Sequence, residues 1–137
     1  MLYPVAIEIG DDQTAFGVAV PDLKGCYSAG DTYEEALVNA REAIQGYLEV
    51  MAEDGHFPPE PGPMEQWVTD PEYAGWVWAL VEVDVEPFLG KSAKINVTLP
   101  NLLTRKIDDA VNHRPEYANR SHFLQVAALN ELRGHAG

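Results

Sequence analysis

One short run constrains this chain more than any other: Lys94-Ile95-Asn96-Val97-Thr98-Leu99-Pro100. Its polar and apolar residues alternate in strict register, the period of two that marks a strand. Pro100 ends the run and suits the first turn of a helix. Leu103, Ile107, Ala110 and Val111 then fall at helical spacing, until Arg114-Pro115 interrupts. Asn119 or Ser121 can cap a second helix, which carries Phe123, Leu124, Ala127, Ala128 and Leu132 and stops at Gly134. One strand and two short helices, about 45 residues, bury too little surface to fold alone. A lone strand also leaves its backbone donors and acceptors unpaired. Pairing two identical strands about a two-fold axis answers both problems. The sequence therefore predicts a homodimer through residues 91–137. Ile95, Val97 and Leu99 would face the helices of an antiparallel ribbon, and Lys94, Asn96 and Thr98 would face outward.

Charge divides the chain at the same place. Residues 1–90 hold eighteen Asp and Glu against Lys24 and Arg41, a net charge of -16. Residues 91–137 hold four acidic and seven basic residues, a net charge of +3, and the two parts make up the chain's -13. Such asymmetry points to different partners for the two parts. The basic part can approach phosphates. The acidic part is repelled by them and attracted to a basic protein.

The acidic part reads as a second domain, over residues 1–88. Tyr3, Val5, Ile7 and Ile9 alternate with polar or small neighbours, Gly10-Asp11-Asp12 is a turn, and Phe16, Val18 and Val20 alternate again, as in a hairpin. Gly25 to Ala29 can add a short third strand. Thr32-Tyr33-Glu34-Glu35 fits a capping box. Ala36, Leu37, Ala40, Ala43, Ile44, Tyr47, Leu48 and Met51 then form one apolar helix face, with Gly55 as the stop. That face needs a sheet to cover. Phe57 to Pro63 holds four prolines, so a loop is expected from there to about Gly75. Trp76 to Val85 reads as a further long strand. The fold class is α+β: a ββ(β)αβ sheet-plus-helix domain, then a β-α-α segment that dimerises.

The chemistry of the second segment favours DNA. A two-stranded ribbon fits the major groove, where Lys donates to guanine, Asn pairs with adenine, and Thr bonds or offers a methyl to thymine. Lys94, Asn96 and Thr98 are those three types. The start of the second helix, Asn119-Arg120-Ser121, offers free amides and partial positive charge to a phosphate oxygen. The first domain offers little to catalysis. Asp22, Asp31, Glu34 and Glu35 lie close in sequence, but Asp31 to Glu35 are favourable at a helix start without any metal, and Asp22 suits a turn. His56, His113, His122 and His135 are scattered, and Cys26 suits a small core position. Trp76 and Trp78 share a parity and suit either a core or a protein interface. No catalytic residue, metal site or cofactor is expected. No apolar run approaches the roughly 18–20 residues of a membrane span. Met1-Leu2-Tyr3-Pro4 lacks the features of a signal peptide. A single cysteine gives no internal disulfide, and a cytoplasmic location is expected.

Two resemblances add to this reading. Lys94 to Pro100, Leu103 with Ile107, and Asn119-Arg120-Ser121-His122-Phe123-Leu124 resemble the ribbon-helix-helix repressors. The resemblance places groove-facing positions on Lys94, Asn96 and Thr98, and the phosphate-binding helix start on Asn119, Arg120 and Ser121. His122 departs from it, where Glu is frequent. In the first domain, Phe16 to Cys26, Gly30 to Leu37 and Ala40 to Ile44 resemble the HicB antitoxin family, with Lys24 where Pro is common. That resemblance implies a partial RNase-H-like fold that binds and blocks HicA, a small basic mRNA-cleaving toxin. It also implies a chain that represses its own operon on operator DNA. Because one ribbon reads only a few base pairs, two dimers, a tetramer, on adjacent half-sites are expected. A second reading stays open at this point: a stand-alone ribbon-helix-helix repressor whose first domain senses a small ligand.

Overall fold

A computed structural model describes residues 1–134; His135 lies outside the described residues. The chain forms two compact units, Met1–Ser92 and Ala93–Gly137.

In the first unit the strands are β1 (Leu2–Glu8), β2 (Phe16–Ala19), β3 (Tyr27–Gly30) and β4 (Val77–Glu82). They make one antiparallel sheet in the order β3-β2-β1-β4. Ile7 pairs with both Val18 and Val77, so the register places Tyr3, Val5, Ile7, Val18 and Val81 on one face. All five are buried there with Val20, Leu23, Cys26 and Val83. Burial pushes the Cys26 thiol above its ordinary pKa, the behaviour of a core residue and not of a nucleophile.

Helix α1 (Tyr33–Glu53) covers that face. Thr32 caps it, its hydroxyl accepting the Glu35 N–H at 3.1 Å. Ala36, Ala40, Ile44 and Leu48, one every four residues, are fully buried against the sheet. Alanine in the first two turns lets the helix lie close, and a Cβ at Gly30 would collide with the Ala36 backbone. At the far end Gly55 takes φ +80°. Its N–H donates to Ala52 and the His56 N–H donates to Met51, which closes the last turn in a Schellman motif.

The proline-rich stretch is pinned at two points. The Tyr3 hydroxyl donates to the Pro59 carbonyl oxygen at 2.7 Å. Asp22 Oδ1 accepts the Gly62 N–H at 2.9 Å and the Trp67 indole N–H at 3.3 Å. The expected loop to Gly75 is broken by a five-residue helix, α2 (Met64–Val68), and a 3-10 turn at Pro71–Tyr73. Tyr73 sets its ring edge against Trp76 and Trp78, at 5.3 and 5.5 Å between centroids. The two tryptophans thus pack within this unit and are half-buried. A second 3-10 turn, Glu86–Leu89, packs Phe88 under the core.

The second unit contains α3 (Asn101–His113) and α4 (Arg120–Gly134). Ile107 of α3 is buried. The strand expected over residues 94–99 is not formed in the single chain: residues 91–100 carry no regular secondary structure. A strand exists by its ladder bonds, and within one chain this segment has no second strand to bond.

Candidate nucleic-acid interface

Lys94, Asn96 and Thr98 are all exposed. So are the residues expected on the opposite face: Ile95 is 80% exposed and Val97 58%, while Leu99 is half-buried. The single chain therefore does not separate an inward from an outward row. Leu102, Leu103 and Leu132 are also open to solvent. Among the described residues of this unit, five large apolar side chains are left uncovered, a surface that water disfavours.

The start of α4 is better defined. Of the two candidate caps, Asn119 is the one used: its Oδ1 accepts the His122 N–H at 2.9 Å. His122 reaches back in turn, its Nδ1 accepting the Ala118 N–H at 3.1 Å. A Glu at this place in a capping box bonds a backbone amide in the same manner, so the imidazole substitutes for the carboxylate without its charge. The tautomer follows: with Nδ1 as acceptor, the proton of the neutral ring sits on Nε2. Tyr117 packs beside it, 6.0 Å from the His122 ring and 4.9 Å from Phe123.

Arg120 has a partner that local sequence does not suggest. Its Nε donates to Asp108 Oδ1 at 3.0 Å and its Nη2 to Asp108 Oδ2 at 2.8 Å. The fork ties the first residue of α4 to the middle of α3. The guanidinium holds the Asp108 carboxyl below its ordinary pKa, and the carboxylate raises that of Arg120. Of the three residues assigned to phosphate, Asn119 thus caps, Arg120 bridges two helices, and Ser121 is exposed beside them. The structure brings these three together at one helix end. It leaves Lys94, Asn96 and Thr98 exposed on a segment without regular secondary structure.

In the first unit, Asp22 Oδ2 is buried without a hydrogen-bond partner while Oδ1 holds the proline-rich stretch, a clamp that sequence reasoning took for a turn residue. Asp31, Glu34 and Glu35 sit exposed at the start of α1. Among the described residues, no three His, Cys, Asp or Glu side chains converge as a metal site would require. A depression of about 570 Å³ at the β1–β2 turn is lined by Gly10 to Phe16 and Asp31. Its Asp11 carboxylate is occupied by the Gln13 and Thr14 N–H groups, which hold it below its ordinary pKa. Among the described residues no helix is long and apolar enough to cross a membrane.

Comparison with known proteins identifies the company this chain keeps. The family model of the HicB-like antitoxins of bacterial toxin-antitoxin systems matches residues 3–128. An uncharacterized 14.9 kDa protein from the rep–hol intergenic region of Haemophilus phage HP1 is 46% identical, over 96% of this chain and 98% of its own length. The crystal structure of the Burkholderia pseudomallei antitoxin HicB superposes with a TM-score of 0.76 at 42% identity, covering 96% of this chain and 98% of that one. A structure of the HicA3–HicB3 toxin-antitoxin complex matches at 30% identity and a TM-score of 0.53, over 61% of this chain and 99% of the matched chain.

Proposed function

Because this chain belongs to the HicB-like antitoxin family, we propose that its first unit binds and neutralises a HicA-type ribonuclease toxin, and that its second unit, paired with that of another copy, represses its own operon. The observation that carries the toxin-binding half is the extent of the match to the HicA3–HicB3 complex. The matched chain there corresponds to 61% of this chain, the same share as the isolated N-terminal domain of the Burkholderia antitoxin. An acidic unit of net charge -16 over residues 1–90 suits a basic partner, chiefly by speeding the encounter. Residues 91–137, at net +3, are the part that phosphates do not repel.

In the second unit, two antiparallel copies of Lys94–Leu99 form the ribbon of a ribbon-helix-helix dimer. The ribbon covers Ile95 and Val97 and presents Lys94, Asn96 and Thr98 to the major groove. The amides at the start of α4, beside Asn119, Arg120 and Ser121, take a backbone phosphate. This assigns a partner to the surface that the single chain leaves bare, with Ile95 80% exposed.

The test is co-expression with the neighbouring gene product. The two should co-purify and growth arrest should be relieved, and residues 1–88 alone should suffice. The full chain should retard DNA from its own promoter. If co-expression relieves nothing while DNA is still bound, the stand-alone repressor reading replaces this one.

A further inference from the structure

The buried stripe of α1 has a counterpart on the far side of the helix. Ala36, Ala40, Ile44 and Leu48 face the sheet. Val38, Glu42, Gly46 and Val50 are displaced from them by two residues, about 200° around the helix. They therefore line the opposite face, and all four are exposed. Three of the four are poor choices for a solvated helix surface. Valine is stiff at χ1 and gains nothing there, yet Val38 is 59% and Val50 57% exposed. Glycine is worse, since it gives up the most backbone freedom of any residue.

Nothing inside the molecule requires that glycine. A Cβ at Gly46 would meet no atom within 4 Å. Its φ is not positive either, whereas Gly25, Gly55, Gly75 and Gly90 each occupy the left-handed region. An exposed notch with apolar ends, kept in mid-helix against its own stability, fits the close approach of something outside the chain. The charges beside the notch describe that partner. Glu42 and Glu49 flank Gly46, four residues before and three after, and Glu35 and Glu53 extend the row. Arg41 is the one cation on the helix. Among the described residues neither Glu42 nor Glu49 is in an ion pair. Two such faces repel each other, so a second copy of the same surface is disfavoured, and nucleic acid is disfavoured by the same sign.

We propose that the exposed face of α1 centred on Gly46 is the surface on which the toxin docks. A basic segment of the toxin would lie across Gly46, its Lys or Arg side chains between Glu42 and Glu49 and its apolar stems on Val38 and Val50. This rests on the toxin-binding reading of the first unit and gives that reading an address. The notch admits the partner's backbone, and the two carboxylates fix its sign.

The test uses the full chain and its cognate toxin, with Gly46→Ala as the main variant. In the free protein this change should stabilise, raising the ratio of folded to unfolded chains about five-fold, equivalent to ~1 kcal/mol. In the complex the added methyl should weaken toxin binding at least about ten-fold. Opposite signs on the two measurements, thermal unfolding and calorimetric titration, are the signature. The double variant Glu42→Gln with Glu49→Gln should slow association and reduce its dependence on salt, with unfolding little changed. Equal affinity of Gly46→Ala and parent, or a loss of stability on that change, overturns the proposal, as does an altered oligomeric state with unaltered toxin affinity. A parent chain that binds no toxin refutes the reading of the whole unit, and this surface with it. A parent that binds while both variants bind equally well refutes the surface alone.

Discussion

The proposed dimer can be tested at Ile95 with a magnitude taken from the single chain. Ile95 is 80% exposed there, so almost all of any burial must come from another copy. Ile95→Ala removes three carbons, each worth ~0.8 kcal/mol when buried. With four-fifths of that surface still to be covered, the loss is about 2 kcal/mol per copy. A two-fold axis counts the residue twice, so the dimer should lose about 4 kcal/mol, a rise of roughly a thousand-fold in its dissociation constant. Sedimentation equilibrium of parent and variant reads this directly. The unfolding of the first unit should stay where it was, because Ile95 lies outside Met1–Ser92. Lys94→Ala is the control: it sits next in sequence on the outward row and should leave the dimer intact while weakening DNA binding. If Ile95→Ala shifted the dissociation constant less than about three-fold, the ribbon would not bury this residue and the assignment of rows would fall.

Asn96→Ala should relax the preference for one base and cost roughly 1–3 kcal/mol on operator DNA, measured by competition between matched and altered sites; toxin neutralisation should be untouched. Tyr3→Phe removes the hydroxyl that holds Pro59 and should cost about 1 kcal/mol in denaturant unfolding, with proteolysis of the stretch near Pro59 as a second readout. The Asp108 carboxyl is held below its ordinary pKa by Arg120, so its contribution is present at pH values above the usual carboxylate range and is lost as pH falls through the lowered value. An acid titration of the second unit followed by NMR should show this, and Asp108→Asn should abolish it.

What could be read from sequence was whatever depends on neighbours along the chain. Helix α1 was legible because its start, stripe and stop are all local: Thr32, the buried four-residue row, and Gly55. β1 and β2 were legible from alternation, with ends off by a residue or so. Helix α2 was not, because five residues between prolines carry no periodicity; the bond from Trp67 to Asp22 crosses 45 positions. The place of β4 beside β1 is equally remote, pairing Leu2 with Glu82. At the candidate interface, the cap at Asn119 was legible among two choices. The fork between Arg120 and Asp108 spans twelve residues across the Pro115 turn and was not. The proposed ribbon is a limiting case: its alternation is plain in one chain, while the bonds that would make it a strand would belong to two.

The fork also changes what can be asked of Arg120. A guanidinium has five N–H groups in one plane, and two of the three nitrogens are engaged with Asp108. The donors on the remaining nitrogen are still available to a phosphate. On the DNA-binding reading proposed above, Arg120 would hold α4 against α3 and meet DNA with the same side chain, the first task aiming the second. The amides of Arg120 and Ser121 are carried on the same rigid turn, because Asn119 and His122 already fix its geometry from both sides. Lysine would keep the charge and lose the fork, since a single ammonium cannot hold both carboxylate oxygens in plane. A phosphate contact made only by charge would survive Arg120→Lys, whereas one that depends on a positioned helix end would weaken along with the tie to α3.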